Sequence, residues 1–542
     1  MNKYIWMLLA ALSIFACSDI EQPIIEEEVL PALTAGSADF SNYVAVGASF
    51  TAGFSDGALF KAGQQNSFPN MLATEFAKIG GGTFSQPLMN DNIGGLVLGS
   101  SIIQNPRLYF DGSMPVTLPA TPTTDVSNVV SGPFKNMGVP GIKSYHLLVN
   151  GYGSLEALAL GKANPYFVRM ASKPTASVFE DVMAQNPTFF TLSEIGGNDV
   201  LGYALAGGDG VDQTGNYDPS TYGPNDITDP VVFKQVYSSI VAALTANGAK
   251  GVVTTIPYIT SLPHFTTVHY NPLSPLDPDF GPLIPLLNSV YGVLDLALAE
   301  AGVPERAITF STSAASPVVI FDETLENKAL DIRDALISSP YFEALLVQFN
   351  LPTDSGTKTK VATLLGQAYD QVRQANSGDL LVLSSSSQIG KINETTMTFL
   401  MSQGLPQVLA AQFSVNGITF PLEDKWVLLP SEQDDIKTAI DAYNTTIIDV
   451  AGANSNVAVV DLRQLLEQAT GTGIQFDEFT MTTQLVLGGL VSLDGVHLTA
   501  RGYALMANKF LEAIDAKFDS NFIEAEARPT ATDYNSFYPV SM

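Results

Sequence analysis

The chain has 542 residues, of which 46% are hydrophobic and 15% are charged, so it can bury one or more sizeable cores. Its formal net charge of −29 repels phosphate backbones, which excludes nucleic acid as an expected partner. The single cysteine, Cys17, excludes an intramolecular disulfide and a cysteine-based zinc site. Any imidazole chemistry must use His146, His264, His269 or His497.

The first residues resemble a bacterial lipoprotein signal. Residues 1–17 combine Lys3, an apolar stretch of about 11 residues, and Ala16 directly before Cys17. An apolar stretch of this length is typical of a signal peptide and is too short to span a bilayer. The resemblance implies cleavage after residue 16 and acylation of Cys17. An ordinary signal peptide or a buried N-terminal helix are the alternatives.

The next segment, residues 17–38, is expected to be an acidic, flexible tether. Its acidic residues resemble the surface-export signal of Bacteroidetes lipoproteins, with a solvated charge run as the alternative. The resulting expectation is an outer-membrane lipoprotein of the cell envelope, facing either the periplasm or the outer surface. Residues 39–520 are expected to form the folded domain, and residues 521–542 a C-terminal tail.

Short apolar runs that end at Gly, Ser, Pro or Asp predict strands buried on both faces. They lie at residues 43–46, 189–192, 252–256, 380–383 and 457–460.

Helical spacing of apolar residues predicts helices between these strands. The clearest patterns cover residues 68–79, 233–244 and 436–450, the last after an N-cap at Ser431. A final helix is expected to begin near Thr499. Alternating strands and amphipathic helices predict a three-layer α/β/α sandwich with a central, mainly parallel sheet. Ligands of such sheets bind beyond the carboxyl ends of the strands.

Three regions interrupt the alternation and are predicted to be insertions. Residues 203–230 are typical of a long loop, residues 271–350 mix proline-rich turns with helical pieces, and residues 385–428 suggest a hairpin. The apolar piece at residues 283–298 could form a lid or acyl pocket, or simply extra core.

Ser49 follows the first predicted strand within Gly47-Ala48-Ser49, a turn in which a hydroxyl can project at the rim of the sheet. Asp494 precedes His497 by three residues, so that the carboxylate can orient the imidazole while its other nitrogen takes a proton from Ser49. Each motif alone is weak, because a plain turn and a surface histidine are commoner.

Two glycine-containing loops complete the set. Asn198 follows the predicted strand at residues 189–192, where a side-chain amide can donate to a developing oxyanion. Gly138 lies in Asn136-Met137-Gly138-Val139-Pro140-Gly141, where a backbone N–H can point at the same oxygen.

The order Ser, Gly, Asn, His resembles the SGNH hydrolases, also called the GDSL esterase/lipase family. The resemblance implies that Ser49 is the nucleophile, His497 the general base and Asp494 its orienting carboxylate. It also implies an oxyanion hole formed by the Ser49 N–H, the Gly138 N–H and the Asn198 side chain. The chain departs from the family's usual Gly-Asp-Ser, since Ala48 replaces the Asp.

The expected activity is serine-dependent hydrolysis of carboxylic esters through an acyl-enzyme on Ser49. A carbohydrate O-acetyl esterase is one alternative, and a non-catalytic glycan- or lipid-binding lipoprotein on a degenerate hydrolase scaffold is the other. No cofactor is expected because no phosphate loop or dinucleotide fingerprint stands out, and no metal site is expected. The expected partners are a small-molecule, lipid or glycan ester and, through the anchor, a membrane.

Overall fold

The computed structural model describes residues 30–542. The expected signal segment, the lipidation site Cys17 and the acidic run before residue 30 lie outside the described residues.

Five parallel strands form the central sheet. They are β1 (Tyr43–Gly47), β2 (Asn136–Gly138), β3 (Phe189–Ser193), β4 (Lys250–Thr254) and β5 (Val457–Val460). The strand order is β2-β1-β3-β4-β5, one of the common orders of doubly wound sheets. In this register Gly47, at the end of β1, lies beside Gly138 of β2 on one side and Ser193 of β3 on the other.

Both faces of the sheet are covered by helices because successive strand residues point to opposite faces. Val44 and Val46 belong to one hydrophobic core, and Tyr43 and Ala45 belong to a second core on the other face. This confirms the prediction of a mixed α/β fold with a central parallel sheet between helical layers.

Eight helices matter for the argument below. They are α1 (Ser49–Ala52), α2 (Phe68–Ala77), α3 (Asn198–Leu205), α4 (Pro230–Thr245), α5 (Ile284–Glu300), α6 (Ala329–Ser338), α7 (Pro430–Gly452) and α8 (Ala500–Phe518). Helices α3, α4 and α7 pack on the face of Val44, and α2 and α8 pack on the face of Tyr43.

The remaining α-helices are shorter or lie at the periphery. They are Lys61–Gln65, Leu155–Ala159, Pro165–Met170, Val178–Met183, Pro263–Thr266, Pro340–Gln348, Ser355–Ala368, Glu394–Ser402, Gln407–Gln412 and Leu462–Thr470. Antiparallel pairs join Leu96–Leu98 to Ser101–Gln104, Leu108–Phe110 to Pro115–Thr117, Val319–Phe321 to Val372–Gln374, Leu380–Leu381 to Val427–Leu428, and Ile474–Phe476 to Phe479–Met481.

The predicted helices are present, and their caps explain where they begin. The Thr499 side chain accepts a hydrogen bond from the Gly502 N–H, which starts α8 at the predicted position. Helix α7 begins one residue before the predicted cap Ser431, because Pro430 takes the first helical position, where its missing N–H costs nothing.

The sequence analysis misplaced one strand and missed another. Residues 380–383 do not join the central sheet, since Leu380–Leu381 pairs antiparallel with Val427–Leu428. The central sheet contains β2 in its place. This strand lies in a segment that the sequence analysis treated as a turn. Its three residues are too few for a hydrophobic pattern to show.

The predicted insertions at 271–350 and 385–428 form one unit with the chain between them, here called the insertion unit (residues 271–428). Buried residues from Leu273 to Val427 form its hydrophobic core, which includes Val319 and Leu336 and is joined by Leu429 just beyond the unit. Two helices occupy 394–412, so the hairpin prediction there is wrong. Residues 206–229 are mainly loop, as predicted.

Helix α5 supplies one side of the core of the insertion unit. Leu287, Tyr291 and Leu298 are buried there, which favours the extra-core interpretation of residues 283–298 over a lid. By length and composition alone, Gly281–Glu300 could also cross a membrane, a test that core helices pass as well.

Both ends of the described chain, residues 30–542, pack more closely than expected. The Ser37 N–H donates to the Phe518 carbonyl at 2.7 Å and Ala38 is buried, so the predicted flexible tether is already part of the fold before residue 38. The C-terminal tail is also packed, because the buried Arg107 guanidinium donates to the carbonyls of Tyr538, Pro539 and Val540.

Candidate functional site

Ser49 is the first residue of α1, two residues after β1 ends. A Cβ at Gly47 would collide with the Thr51 side chain and the Ser193 carbonyl, so the turn needs glycine there. Ser49 as a whole residue is 8% exposed. Within residues 30–542 neither its hydroxyl nor its N–H makes a hydrogen bond, so both groups are available to a ligand.

Asp494 and His497 are in direct contact, as the sequence predicted. Asp494 Oδ2 lies 2.9 Å from His497 Nδ1. The same carboxylate accepts the N–H groups of Val496 and His497 at 2.8 Å each, and that of Gly57 at 2.7 Å. Burial acts to raise the pKa of Asp494, but His497 and these hydrogen bonds outweigh it and hold the pKa well below its usual range. An ionised Asp494 fixes the proton on Nδ1 and leaves Nε2 as the proton acceptor.

The segment that follows Ser49 packs against the loop that carries His497. The ring centroid of Phe54 lies 4.4 Å from that of His497, and the ring of Phe50 lies 5.8 Å away. The Ser55 hydroxyl donates to the Leu498 carbonyl at 2.9 Å. The far end of the chain is thus held against the turn after the first strand.

In the described part of the chain, no direct hydrogen bond joins the Ser49 hydroxyl to the His497 ring. Their loops are in contact, but the nucleophile–base bond that the sequence analysis expected is not formed. Such bonds are often long in the absence of a substrate and tighten only in the reactive complex.

Asn198 is the first residue of α3, at the carboxyl end of β3. Its side-chain amide donates one N–H to the Ile142 carbonyl at 3.0 Å. A primary amide carries two N–H donors, so the second one remains for a ligand. This bond also ties the start of α3 to the loop after β2.

Gly138 does not have the role that the sequence analysis gave it, because its N–H already donates to Asn136 Oδ1 at 3.0 Å. Its lack of a side chain serves packing instead, since a Cβ would collide with the backbone of Thr51 and Ala52 in α1. Gly141, three residues later, has φ +77° and an N–H without a partner among the described residues. Gly141 is therefore the free backbone donor of this loop.

Sequence reasoning missed two residues that touch the Asp494 loop. Asp56 Oδ1 accepts the Leu493 N–H at 3.0 Å, and burial, aided by the charge of Asp494, raises the pKa of Asp56 to about 7. The His264 N–H donates to the Gly495 carbonyl at 3.0 Å. Neither residue stands out by spacing, because each contact joins segments more than 200 residues apart.

A small apolar cavity of about 70 Å³ lies beside this site. Phe50, Leu262, Val496 and Leu498 are among its lining residues. The two cavities of the insertion unit, about 430 and 450 Å³, are larger, but none of the candidate catalytic residues lines them.

Three carboxylates outside this site lie close enough to share a cation. Ligand oxygens of Glu323, Asp424 and Glu432 are within 4.8 Å of one another. Burial and the two neighbouring acids raise the pKa of Glu432 to about 9, and burial with the charge of Glu323 raises that of Asp424 to about 7. Protons therefore relieve part of the repulsion in this cluster. The expectation of no metal site remains a prediction.

Comparisons of the chain with protein-family models, with curated proteins and with solved structures found no match. The functional assignment therefore depends on the geometry described above and on the resemblance of the four motifs to the SGNH pattern.

Proposed function

We propose that this chain is a serine-dependent hydrolase of the SGNH type that cleaves carboxylic esters. The observation that carries the proposal is the Asp494–His497 pair, held at 2.9 Å on a loop packed against the turn of Ser49. These groups come from the two ends of the folded chain and meet at the carboxyl edge of the sheet, where doubly wound folds bind ligands.

The proposed reaction has two acyl-transfer steps. Ser49 Oγ attacks the ester carbonyl carbon while His497 Nε2 takes its proton, and the tetrahedral intermediate then expels the alcohol, which receives that proton. Water attacks the acyl-enzyme with His497 in the same two roles, releasing the acid and free Ser49. The free N–H groups of Ser49, Gly141 and Asn198 are the proposed oxyanion donors.

The test uses the full-length protein purified in detergent, with p-nitrophenyl esters of increasing chain length and a fluorophosphonate probe. Ser49→Ala should abolish both hydrolysis and labelling, and His497→Ala should slow both by several orders of magnitude. Ser414→Ala is the matched control, because its buried hydroxyl donates to the Ala410 carbonyl at 2.7 Å in the insertion unit, away from the site. Wild-type turnover in Ser49→Ala or His497→Ala would refute the proposal.

The volume of the cavity beside the site favours esters with short acyl groups. About 70 Å³ is far below the 300–1,000 Å³ of pockets that enclose drug-sized ligands. A carbohydrate O-acetyl esterase is therefore the second candidate. Acetate release from acetylated glycans, measured beside the chain-length profile, would distinguish it from an esterase for longer acyl chains.

The non-catalytic alternative, a glycan- or lipid-binding lipoprotein, predicts no labelling of Ser49. The proposed anchor has its own test, since incorporation of an alkyne fatty acid into the chain in cells should be lost in Cys17→Ser. Incorporation that persists in Cys17→Ser would contradict the anchor and leave the hydrolase proposal untouched.

A further inference from the structure

Glu194 is a buried carboxylate directly beyond β3 that contacts the Ser49 turn from the neighbouring strand. Its Oε1 accepts the Ala48 N–H at 2.7 Å and the Thr51 N–H at 2.9 Å. Its Oε2 accepts the Thr51 hydroxyl at 3.2 Å. Ala48, directly before Ser49, and Thr51, two residues after it, are thus both hydrogen-bonded to one side chain.

The backbone of Glu194 reaches the other half of the site. Its carbonyl accepts the Gly197 N–H at 3.0 Å, in the turn that leads into Asn198. Its own N–H donates to the Thr254 hydroxyl at 2.9 Å, at the end of β4. One residue therefore connects the nucleophile turn, the turn before Asn198 and the next strand of the sheet.

Glu194 also adopts a left-handed backbone conformation, with φ +50°. This region costs a residue other than glycine of the order of 1 kcal/mol or more, and such strain persists only where the surroundings hold it. Burial is a second cost, since it raises the pKa of the Glu194 carboxyl to about 7 despite the hydrogen bonds that it accepts. A strained, buried carboxylate with three hydrogen bonds to one short turn has a specific structural task.

Ala48 makes that task clear. Ala48 is buried in the hydrophobic core that also contains Val46 and Val139, so an Asp at this position would place a charge among apolar side chains. The usual acidic residue of the motif is therefore absent from the turn itself, and a carboxylate from the adjacent strand holds the turn.

We propose that Glu194 is the positioning residue of the Ser49 nucleophile, holding from the end of β3 a turn that has no acidic side chain of its own at position 48. This inference rests on the proposed hydrolase function. Glu194 acts through the backbone of Ala48 and Thr51, by fixing the direction in which Ser49 Oγ and the Ser49 N–H point. Misplacement of reacting groups by about 1 Å costs rates of the order of 100-fold.

The experiment compares Glu194→Ala, Glu194→Gln and Glu194→Asp in the full-length protein in detergent. Glu194→Ala removes the acceptor and should lower kcat and the rate of Ser49 labelling about 100-fold, with KM nearly unchanged. Glu194→Gln keeps an acceptor oxygen for both N–H groups and should restore most of the loss. Glu194→Asp tolerates the backbone conformation but is one methylene too short, so it should resemble Glu194→Ala and decides the question if the alanine variant does not fold.

Asp515→Ala is the matched control, because Asp515 also accepts three hydrogen bonds, from Ser520, Phe522 and Ile523. It lies near the opposite end of α8 from the site, and its loss should lower stability but not kcat. Wild-type kcat and labelling in Glu194→Ala, or an equal loss in Glu194→Gln and Glu194→Ala, would overturn the inference.

Amide hydrogen exchange separates a failure of this inference from a failure of the proposed function. The Ala48 and Thr51 amides should lose protection in Glu194→Ala and keep it in Glu194→Gln. A wild-type protein that neither hydrolyses esters nor labels at Ser49 refutes the hydrolase and the positioning role together. An active wild type whose Ser49 turn exchanges identically in all variants refutes the role of Glu194 alone.

Discussion

The doubly wound sheet and the insertion unit differ in their relation to the candidate catalytic residues. The sheet brings Ser49, Asn198, Asp494 and His497 to one edge but leaves only a small cavity beside them. The insertion unit contains cavities of about 430 and 450 Å³, and a third of about 700 Å³ lies against β2. None of these four residues lines any of the three. A search for function by cavity size alone would therefore lead away from the polar groups that are arranged for a reaction.

The largest loss of activity is expected from a substitution of Asp494, one of the residues at the sheet edge. Asp494→Asn replaces an ionised acceptor of four hydrogen bonds by an amide with one acceptor oxygen, which favours the wrong tautomer of His497. We expect kcat to fall about 10⁴-fold, measured by ester hydrolysis at pH 7.5. Asp56→Asn, on the segment that contacts this loop, should keep activity because Asn retains an oxygen that accepts the Leu493 N–H. Equal losses would mean that loop folding, not the charge of Asp494, matters.

The next largest loss of activity is expected from a substitution of Asn198, which also lies at the sheet edge. Asn198→Ala removes an oxyanion donor and should lower kcat about 10²- to 10³-fold with little change in KM. The control is Asn164→Ala, because Asn164 supports the same loop through the Pro140 carbonyl at 2.8 Å. If both variants lose kcat to the same extent, Asn198 supports the loop and is not an oxyanion donor.

A core mutation in the insertion unit tests whether the stability of that unit affects catalysis. Leu336 in α6 is fully buried, so Leu336→Ala should cost about 3 kcal/mol of unfolding free energy. Activity at low temperature should be unchanged, since none of the site residues lies in that core. Leu511→Ala in α8 removes the same atoms from the core beside the sheet, and calorimetry of the two variants shows whether the units unfold together. A large loss of kcat in Leu336→Ala would show that the insertion unit shapes the site.

The smallest expected effect is at the acidic cluster, where α7 meets the insertion unit. The pKa of Glu432 is raised to about 9, so its protonated form stabilises the fold fully below its ordinary pKa of 4.5. That contribution is lost as pH rises toward 9. Glu432→Gln should therefore raise Tm at pH 9 by roughly 2–4 °C, the shift that about 1 kcal/mol produces, and by less at pH 5. A Tm difference independent of pH would contradict the raised pKa.

The sequence predicted the alternating architecture well because long apolar runs and helical periodicity are local signals. It failed at β2, where three residues carry no period, and at residues 380–383, where an apolar run pairs inside the insertion unit. The Asp494–His497 pair was predictable because both residues lie in one turn. Glu194 and the free N–H of Gly141 were not, since their significance depends on which backbone groups are already hydrogen-bonded.

The docking of residues 34–38 has a geometric consequence for a lipid-anchored chain. Ser37 is fixed to Phe518 at one end of α8, whereas His497 lies just before the other end, about 28 Å away along a 19-residue helix. A lipid on Cys17 would therefore be joined to the folded chain at the end of α8 that lies away from His497.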